Sequence, residues 1–263
     1  MNLSELQKIR EAEMVETLPL FPAGGRLLEI GAGTGWQAQL LAARGFAVTA
    51  IDIPGSNYKK TRVWPIVEYD GLHIPAGDGC FDVIFSSNTL EHIAEIGPFL
   101  TETQRVLKPG GVCVHILPTF TWRFSSALGH YTRLDRVVEE LSGMLRLRKG
   151  RPLLSADCDY RQPQRRSQEG IWGWIWRRFL PPRHGERGNL FTEHYYFTEH
   201  SWRRVFGRAG FKVISVTRNR LYYTGHFMLG GRISIKTRRA LSALFGSSCN
   251  IYLLRKATST ERT

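Results

Sequence analysis

The ten residues from Arg26 to Gly35 (RLLEIGAGTG) constrain the fold of this chain more than any other stretch. A short apolar run carrying Glu29 gives way to glycines at 31, 33 and 35, and then to a segment with helical spacing. A buried strand must turn sharply into a helix here, with its backbone very close to whatever lies against the turn. Taken alone, such a corner serves steric needs as readily as binding. The segments that follow at set distances decide between the two.

Ahead of the turn, residues 3–18 read as an amphipathic helix, with Leu3, Leu6, Ile9 and Val15 near one face. Asn2 and Glu5 stand at capping-box spacing. Residues 27–30 are the first strand, and 36–44 a helix closed by Gly45. Residues 47–53 (AVTAIDI) form a second buried strand carrying Asp52 near its end. After a polar, irregular stretch, 66–69 is a third strand leading into Asp70 and Gly71, and 81–86 (FDVIFS) a fourth. A helix over 99–107 stops at Lys108-Pro109-Gly110-Gly111, and 112–117 is a fifth strand. Strands alternating with helices at this spacing indicate βαβ units and an open parallel sheet.

The pattern breaks after residue 117. Residues 118–190, rich in Arg, Trp, Pro and Gly, read as an insertion with helical segments at 134–147 and 170–180. Core signals resume with a helix at 198–209, a strand at 211–217, a helix at 232–245 and a last strand at 250–254. Residues 1–117 and 191–256 therefore form one discontinuous domain, 118–190 its inserted lid, and 257–263 a polar tail.

Composition narrows the class. A hydrophobic content of 42% supports a packed core. Four widely spaced cysteines without a Cys-x-x-Cys pair imply a reducing compartment, no disulfide frame and no metal site. The N-terminal segment is too charged for a secretory signal and no apolar run spans a bilayer, so a cytoplasmic location is expected. A net charge of +13 favours anionic partners without choosing among nucleic acid, an acidic membrane face and a phosphorylated substrate.

In open α/β sheets the ligand lies beyond the carboxyl ends of the strands. That edge collects Glu29 and the glycine turn, Asp52, Asp70, and Ser87 with Asn88. Three carboxylates with no evident cation weigh against a diphosphate. The third glycine falls one residue early for a dinucleotide fingerprint, position 36 is Trp, and no Gly-Lys-Ser/Thr is present. Asp52 has the chemistry to accept hydrogen bonds from both ribose hydroxyls, Asp70 to accept from an adenine amine, and Glu29 to favour a nearby positive charge. A nucleoside carrying a cation fits better than one carrying phosphates.

At this point the sequence resembles the class I S-adenosylmethionine-dependent methyltransferases, in particular the ubiquinone/menaquinone methyltransferase-like group. The resemblance rests on LLEIGAGTG (27–35), AIDI (50–53), EYDGLHIP (68–75), FDVIFSSNTLEHI (81–93) and VLKPGGVCVHI (106–116), with a weaker echo over 197–216. It implies a Rossmann-like, doubly wound, mostly parallel seven-stranded sheet of order 3-2-1-4-5-7-6 with its last strand antiparallel. The cofactor implied is S-adenosylmethionine, with Glu29, Gly31, Gly33 and Gly35 toward its methionine part, Asp52 toward the ribose, Asp70 and Gly71 bordering the adenine, and Ala32, Ile53 and Asn88 completing the set.

Methyl transfer from a sulfonium needs mainly alignment, and a general base only for an acceptor such as a hydroxyl. His92, just after the fourth strand, and His194 are the residues chosen for that role. His184, like His194, lies at the insertion's end and could face the acceptor or make an ordinary hydrogen bond, and His115 reads as core. The segment 171–180 (IWGWIWRRFL) suits either a buried lid or a peripheral membrane contact. The expected acceptor is a small or lipid-linked molecule methylated at oxygen. The alternatives are an RNA methyltransferase gripping phosphates through the basic insertion, and an inactive cofactor-binding subunit.

Overall fold

A computed structural model of the chain describes residues 3–131, 181, 183–189, 192–225 and 233–258. In chain order the first elements are α1 (Leu3–Thr17), β1 (Gly25–Ile30), α2 (Trp36–Ala42), β2 (Phe46–Asp52), β3 (Val67–Glu68) and β4 (Phe81–Ser87). They continue with α3 (Ile96–Val106), β5 (Leu107–Pro118) and α4 (Phe120–Tyr131). The last are α5 (Glu193–Tyr196), α6 (Glu199–Arg208), β6 (Phe211–Arg218), α7 (Ile235–Phe245) and β7 (Cys249–Lys256).

Seven strands form one sheet in the order β3-β2-β1-β4-β5-β7-β6. β1 to β5 pair in parallel, and β7 runs antiparallel to both β5 and β6. β1 buries Leu27 to Ile30 and β4 buries Phe81 and Val83 to Ser86, because both faces of the sheet are covered. One face packs on α3 and α6 through Phe99, Leu100, Trp202 and Phe206. The other packs on α1, α2 and α4 through Ile9, Met14, Leu41 and Trp122. The doubly wound order expected from the sequence is the order observed.

Several boundaries move for identifiable reasons. The helix read from Phe99 begins at Ile96, since Pro98 still lies in the first turn, where a missing N–H costs nothing. Lys108 to Gly111 does not break the chain into a turn: β5 already begins at Leu107, pairs with Phe81, and shifts register before Val83 meets Val112. Gly110 takes a positive φ of 79°, and a Cβ on Gly111 would lie 2.7 Å from Leu107 Cδ1. Glycines let the irregular stretch re-enter the ladder. On α1 the buried positions include Ile9, Glu13 and Met14, while Val15 is 60% exposed. The apolar stripe assigned to Val15 is displaced because Glu13 turns inward to a polar cluster. The final helix begins at Ile235, capped by the Ser234 hydroxyl, which accepts from Thr237 N at 3.1 Å.

Within 118–190 the composition conceals α4, which starts two residues after β5 ends. The helices expected at 134–147 and 170–180 lie outside the described residues, as does Asn2 of the expected capping box.

Candidate active site

β1 delivers the glycine turn to the carboxyl edge of the sheet. Gly31, Gly33 and Gly35 all have positive φ (69°, 57° and 78°). Gly31 N and Ala32 N both donate to Ile51 O (2.9 and 3.1 Å), and Gly35 N donates to Ala32 O (2.8 Å). Neighbouring segments press on the turn. A Cβ on Gly31 would lie 2.4 Å from Thr89 Cγ2, and one on Gly35 2.5 Å from Trp64 Cβ. Gly31→Ala is therefore expected to lose ~1–3 kcal/mol from backbone strain alone, with the clash against Thr89 added. Urea unfolding checks this, and an unchanged midpoint would contradict it.

Two carboxylates back the turn. Glu29 is buried, and its Oε2 has no hydrogen-bond partner. Burial first, and Asp52 second, push its carboxyl up to about 8, against the opposing pull of the Ala38 N–H. The folded state thus holds this proton more tightly than the unfolded chain. The stability it supplies is complete below about pH 4.5 and is lost as pH rises through about 8. Melting temperature should fall across that window in the native chain and less in Glu29→Gln. Equal slopes in the two proteins would contradict the assignment.

Asp52, 8% exposed, closes β2 and faces the turn: Oδ1 accepts from Ile53 N (2.8 Å) and Oδ2 from Gly33 N (3.1 Å). Each oxygen retains a further lone pair for an incoming hydroxyl. Ile53 is 37% exposed beside Gly71, whose Cβ would sit 3.5 Å from Ile53 Cγ2, which leaves a small apolar floor suited to a base. Asp70 is exposed and engaged locally. Its Oδ1 accepts from Leu72 N and His73 N (2.8 and 2.7 Å), and its Oδ2 lies 2.6 Å from His73 Nδ1. The His73 side chain and the two backbone N–H groups hold this carboxyl down to about 2. Its carboxylate thus shapes the Asp70-Gly71 turn, and Oδ2 retains a further lone pair. The nearby cations Lys59 and Arg62 both pair with Glu68 Oε1 (2.7 and 2.9 Å). The unpartnered buried Glu29 oxygen, the acceptor pair on Asp52 and the left-handed glycines fit a ribonucleoside that carries positive charge.

The other half of the edge lies beyond β4. Asn88 takes a left-handed φ of 52° and donates its N–H to Ile116 O (2.8 Å). Its amide oxygen, assigned to face α1, accepts from Arg10 at 2.6 and 3.2 Å. Arg10 also meets Glu13 Oε2 (2.5 Å), and Glu13 Oε1 accepts from Tyr223 Oη (2.6 Å) and Asn219 Nδ2 (2.8 Å). A short helical turn, Leu90–His92, then presents Glu91 and His92. Glu91 is buried with neither carboxylate oxygen hydrogen-bonded, and burial raises its pKa against the pull of His92 and Arg10. His92 Nε2 lies 3.9 Å from Glu91 Oε1.

The His184 ring meets His92 edge-on with 4.7 Å between centroids, and Trp122 lies 4.4 Å away on another side. His194 instead faces Phe120 at 5.8 Å. The histidine brought to His92 is therefore His184, not His194. One ligand atom each from Glu91, His92 and His184 lies within 4.8 Å of the others, so these three could hold a metal ion. His115 is fully buried, with Nδ1 2.8 Å from Ser86 Oγ, and burial pushes it down to about 3. It belongs to the core. Arg10, Trp122 and Tyr223 escaped sequence reasoning, since nothing in their local spacing sets them apart. The segment 171–180 lies outside the described residues.

With this geometry in hand, comparison with known proteins is informative. A family model described as a methyltransferase domain matches residues 6–216. The ubiquinone biosynthesis O-methyltransferase of Caulobacter vibrioides is 39% identical over 100 residues, covering 34% of this chain and 39% of that protein. The demethylmenaquinone methyltransferase of Tropheryma whipplei is 36% identical over 98 residues, covering 34% and 40%. The matches thus span about two fifths of these relatives' lengths. Among solved structures, an S-adenosylmethionine dependent methyltransferase from Mesorhizobium loti superposes with a TM-score of 0.55 at 14% identity, covering 93% of this chain and 98% of that one. That last likeness concerns the fold alone.

Proposed function

Because this chain belongs to the methyltransferase-domain family, we propose that it moves the methyl group of S-adenosylmethionine to a hydroxyl oxygen of a small or lipid-linked acceptor. When bound, this cofactor supplies an electrophilic methyl on a sulfonium that leaves without protonation. The chain's residues have three tasks: to hold the nucleoside, to place the acceptor, and to receive its proton. The glycine turn, Asp52 and Ile53 serve the first. Asn88 completes that set, and the described ends of the 118–190 insertion border the acceptor side.

The observation that carries the assignment to oxygen is the Glu91–His92 arrangement at the end of β4. His92 would take up the hydroxyl proton of the acceptor as its oxygen receives the methyl group. The resulting imidazolium gains a carboxylate 3.9 Å away that has no other hydrogen-bond partner. Two unit charges ~4 Å apart attract by roughly 4 kcal/mol at an effective dielectric near 20, and the half-exposed imidazole reduces this through solvent screening.

The convergence of Glu91, His92 and His184 favours a second reading, in which a divalent cation held by the three acidifies the acceptor hydroxyl. Loss of turnover in chelator, restored by added magnesium or zinc, would select it. Lipid-linked acceptors agree with the quinone-type names of the relatives and with a net charge of +13 suited to an anionic membrane face. No described helix is long and apolar enough to cross a membrane.

The test is incubation of the purified chain with methyl-tritiated S-adenosylmethionine and separate solvent, aqueous and RNA fractions of a bacterial extract. Label is expected in base-stable ethers of the solvent or aqueous fraction. Label confined to RNA, or none at all, would overturn the reading.

A further inference from the structure

Two segments far apart in the chain meet in the core beside the site. Arg123 Nε on α4 and Glu193 Oε2 on α5 form an ion pair of 2.5 Å across 70 residues of sequence. The side chains are 2% and 0% exposed. The second Glu193 oxygen accepts from the backbone N–H of His184 (2.8 Å) and of Gly185 (2.6 Å). One buried carboxylate therefore joins the helix that follows β5 to the loop at the far end of the insertion.

The same loop is stitched to the reaction edge. Glu186 N donates to Glu91 O (3.0 Å), and Arg183 Nη2 donates to Gly185 O (2.9 Å). A Cβ on Gly185 would lie 3.0 Å from Glu91 O, a tight contact that a side chain there makes only by shifting the loop a few tenths of an ångström. The outcome of these contacts is the lodging of the His184 ring between His92 and Trp122. A buried ion pair is a poor source of stability compared with apolar residues of similar volume, but loss of one partner leaves an uncompensated buried charge.

We propose that Arg123 and Glu193 are positioning residues of the transfer site, clamping the two ends of the insertion together so that His184 is held against His92. The inference rests on the reading of the Glu91–His92 edge as the site of transfer. It holds whether His184 assists the proton step or a cation.

Carbethoxylation of individual histidines by diethyl pyrocarbonate, followed peptide by peptide in the full chain, reads the clamp without any acceptor. Glu193→Gln and Arg123→Met should raise the rate at His184 by roughly fivefold or more, as local opening of a held loop does. Arg123→Lys should stay near the native rate, exposed His73 should not change, and buried His115 should remain protected. An unchanged His184 rate, or His115 opening along with it, would overturn the proposal. If Glu193→Gln does not fold, Gly185→Ala crowds Glu91 O, loosens the loop that Glu193 holds, and should raise the His184 rate in the same way.

Transfer of tritiated methyl into a solvent extract of bacterial membranes supplies the functional readout. Turnover should fall about 10- to 100-fold in Glu193→Gln, while S-adenosylhomocysteine affinity by calorimetry stays within about twofold. The double variant Glu193→Gln/His184→Gln should be no slower than His184→Gln alone, and additive losses would refute action through His184. A native chain that transfers no methyl group refutes the oxygen reading above, and the labelling pattern still decides the clamp.

Discussion

Asp52→Ala is expected to weaken S-adenosylhomocysteine binding by at least about 100-fold, because two charge-assisted hydrogen bonds to ribose hydroxyls contribute ~1.5–3 kcal/mol each. The structure shows why the loss should not be compensated. Asp52 is 8% exposed at the end of β2, and its oxygens already order Ile53 N and Gly33 N. Removing the carboxylate therefore loosens the turn as well as the ribose contact. Asp52→Asn keeps one carbonyl acceptor and should fall between the two. Calorimetric titration of the three proteins checks the order, with melting curves confirming that each is folded. Native affinity in Asp52→Ala would remove the residue from the cofactor site.

His92→Ala should lower turnover by about 10²- to 10⁴-fold, the usual contribution of a positioned acid–base group, with cofactor affinity unchanged. The imidazole stands beside Glu91, a buried carboxylate whose two oxygens lack hydrogen-bond partners. That unsatisfied charge is costly unless a proton or a cation arrives beside it, which is what transfer from a hydroxyl provides. Glu91→Gln, close in shape and uncharged, should slow turnover less than loss of the imidazole. Full turnover in His92→Ala would leave alignment as the whole of catalysis and remove the base. A fall in cofactor affinity equal to the fall in turnover would show that the residue binds rather than catalyses.

Much of the sheet could be read from the chain because its physics is local. β1 and β4 are short apolar runs bounded by turns, and the glycines after β1 must be left-handed where Thr89 and Trp64 press on the turn. The carboxylates at 29 and 52 follow from the same logic, since they sit at strand ends where an open α/β sheet gathers its ligand. Asp70 was harder. Its spacing is right, but only the folded turn shows its oxygens committed to Leu72, His73 and the His73 ring.

The acceptor side was least legible. His184, which meets His92, follows a loop tied to Glu193, and Glu193 pairs with Arg123 across 70 residues, a pairing no local pattern encodes. His194, chosen from sequence, lies one residue beyond Glu193 in the helix that carries the clamp, with its ring against Phe120. Arg10 and Glu13 lie in the helix read over residues 3–18, with nothing in their local spacing to set them apart. They turn inward because Asn88, Asn219 and Tyr223 meet them there.

The central claim is that the glycine turn and its two carboxylates hold a positively charged nucleoside. Calorimetry with S-adenosylmethionine in two buffers of different ionisation heat tests it most directly. One molecule should bind per chain. Between about pH 5 and 8 its positive charge should drive Glu29, otherwise held up to about 8, to release a proton, and this release should vanish in Glu29→Gln. Absence of saturable binding, or tighter binding of a dinucleotide such as NAD, would contradict the account.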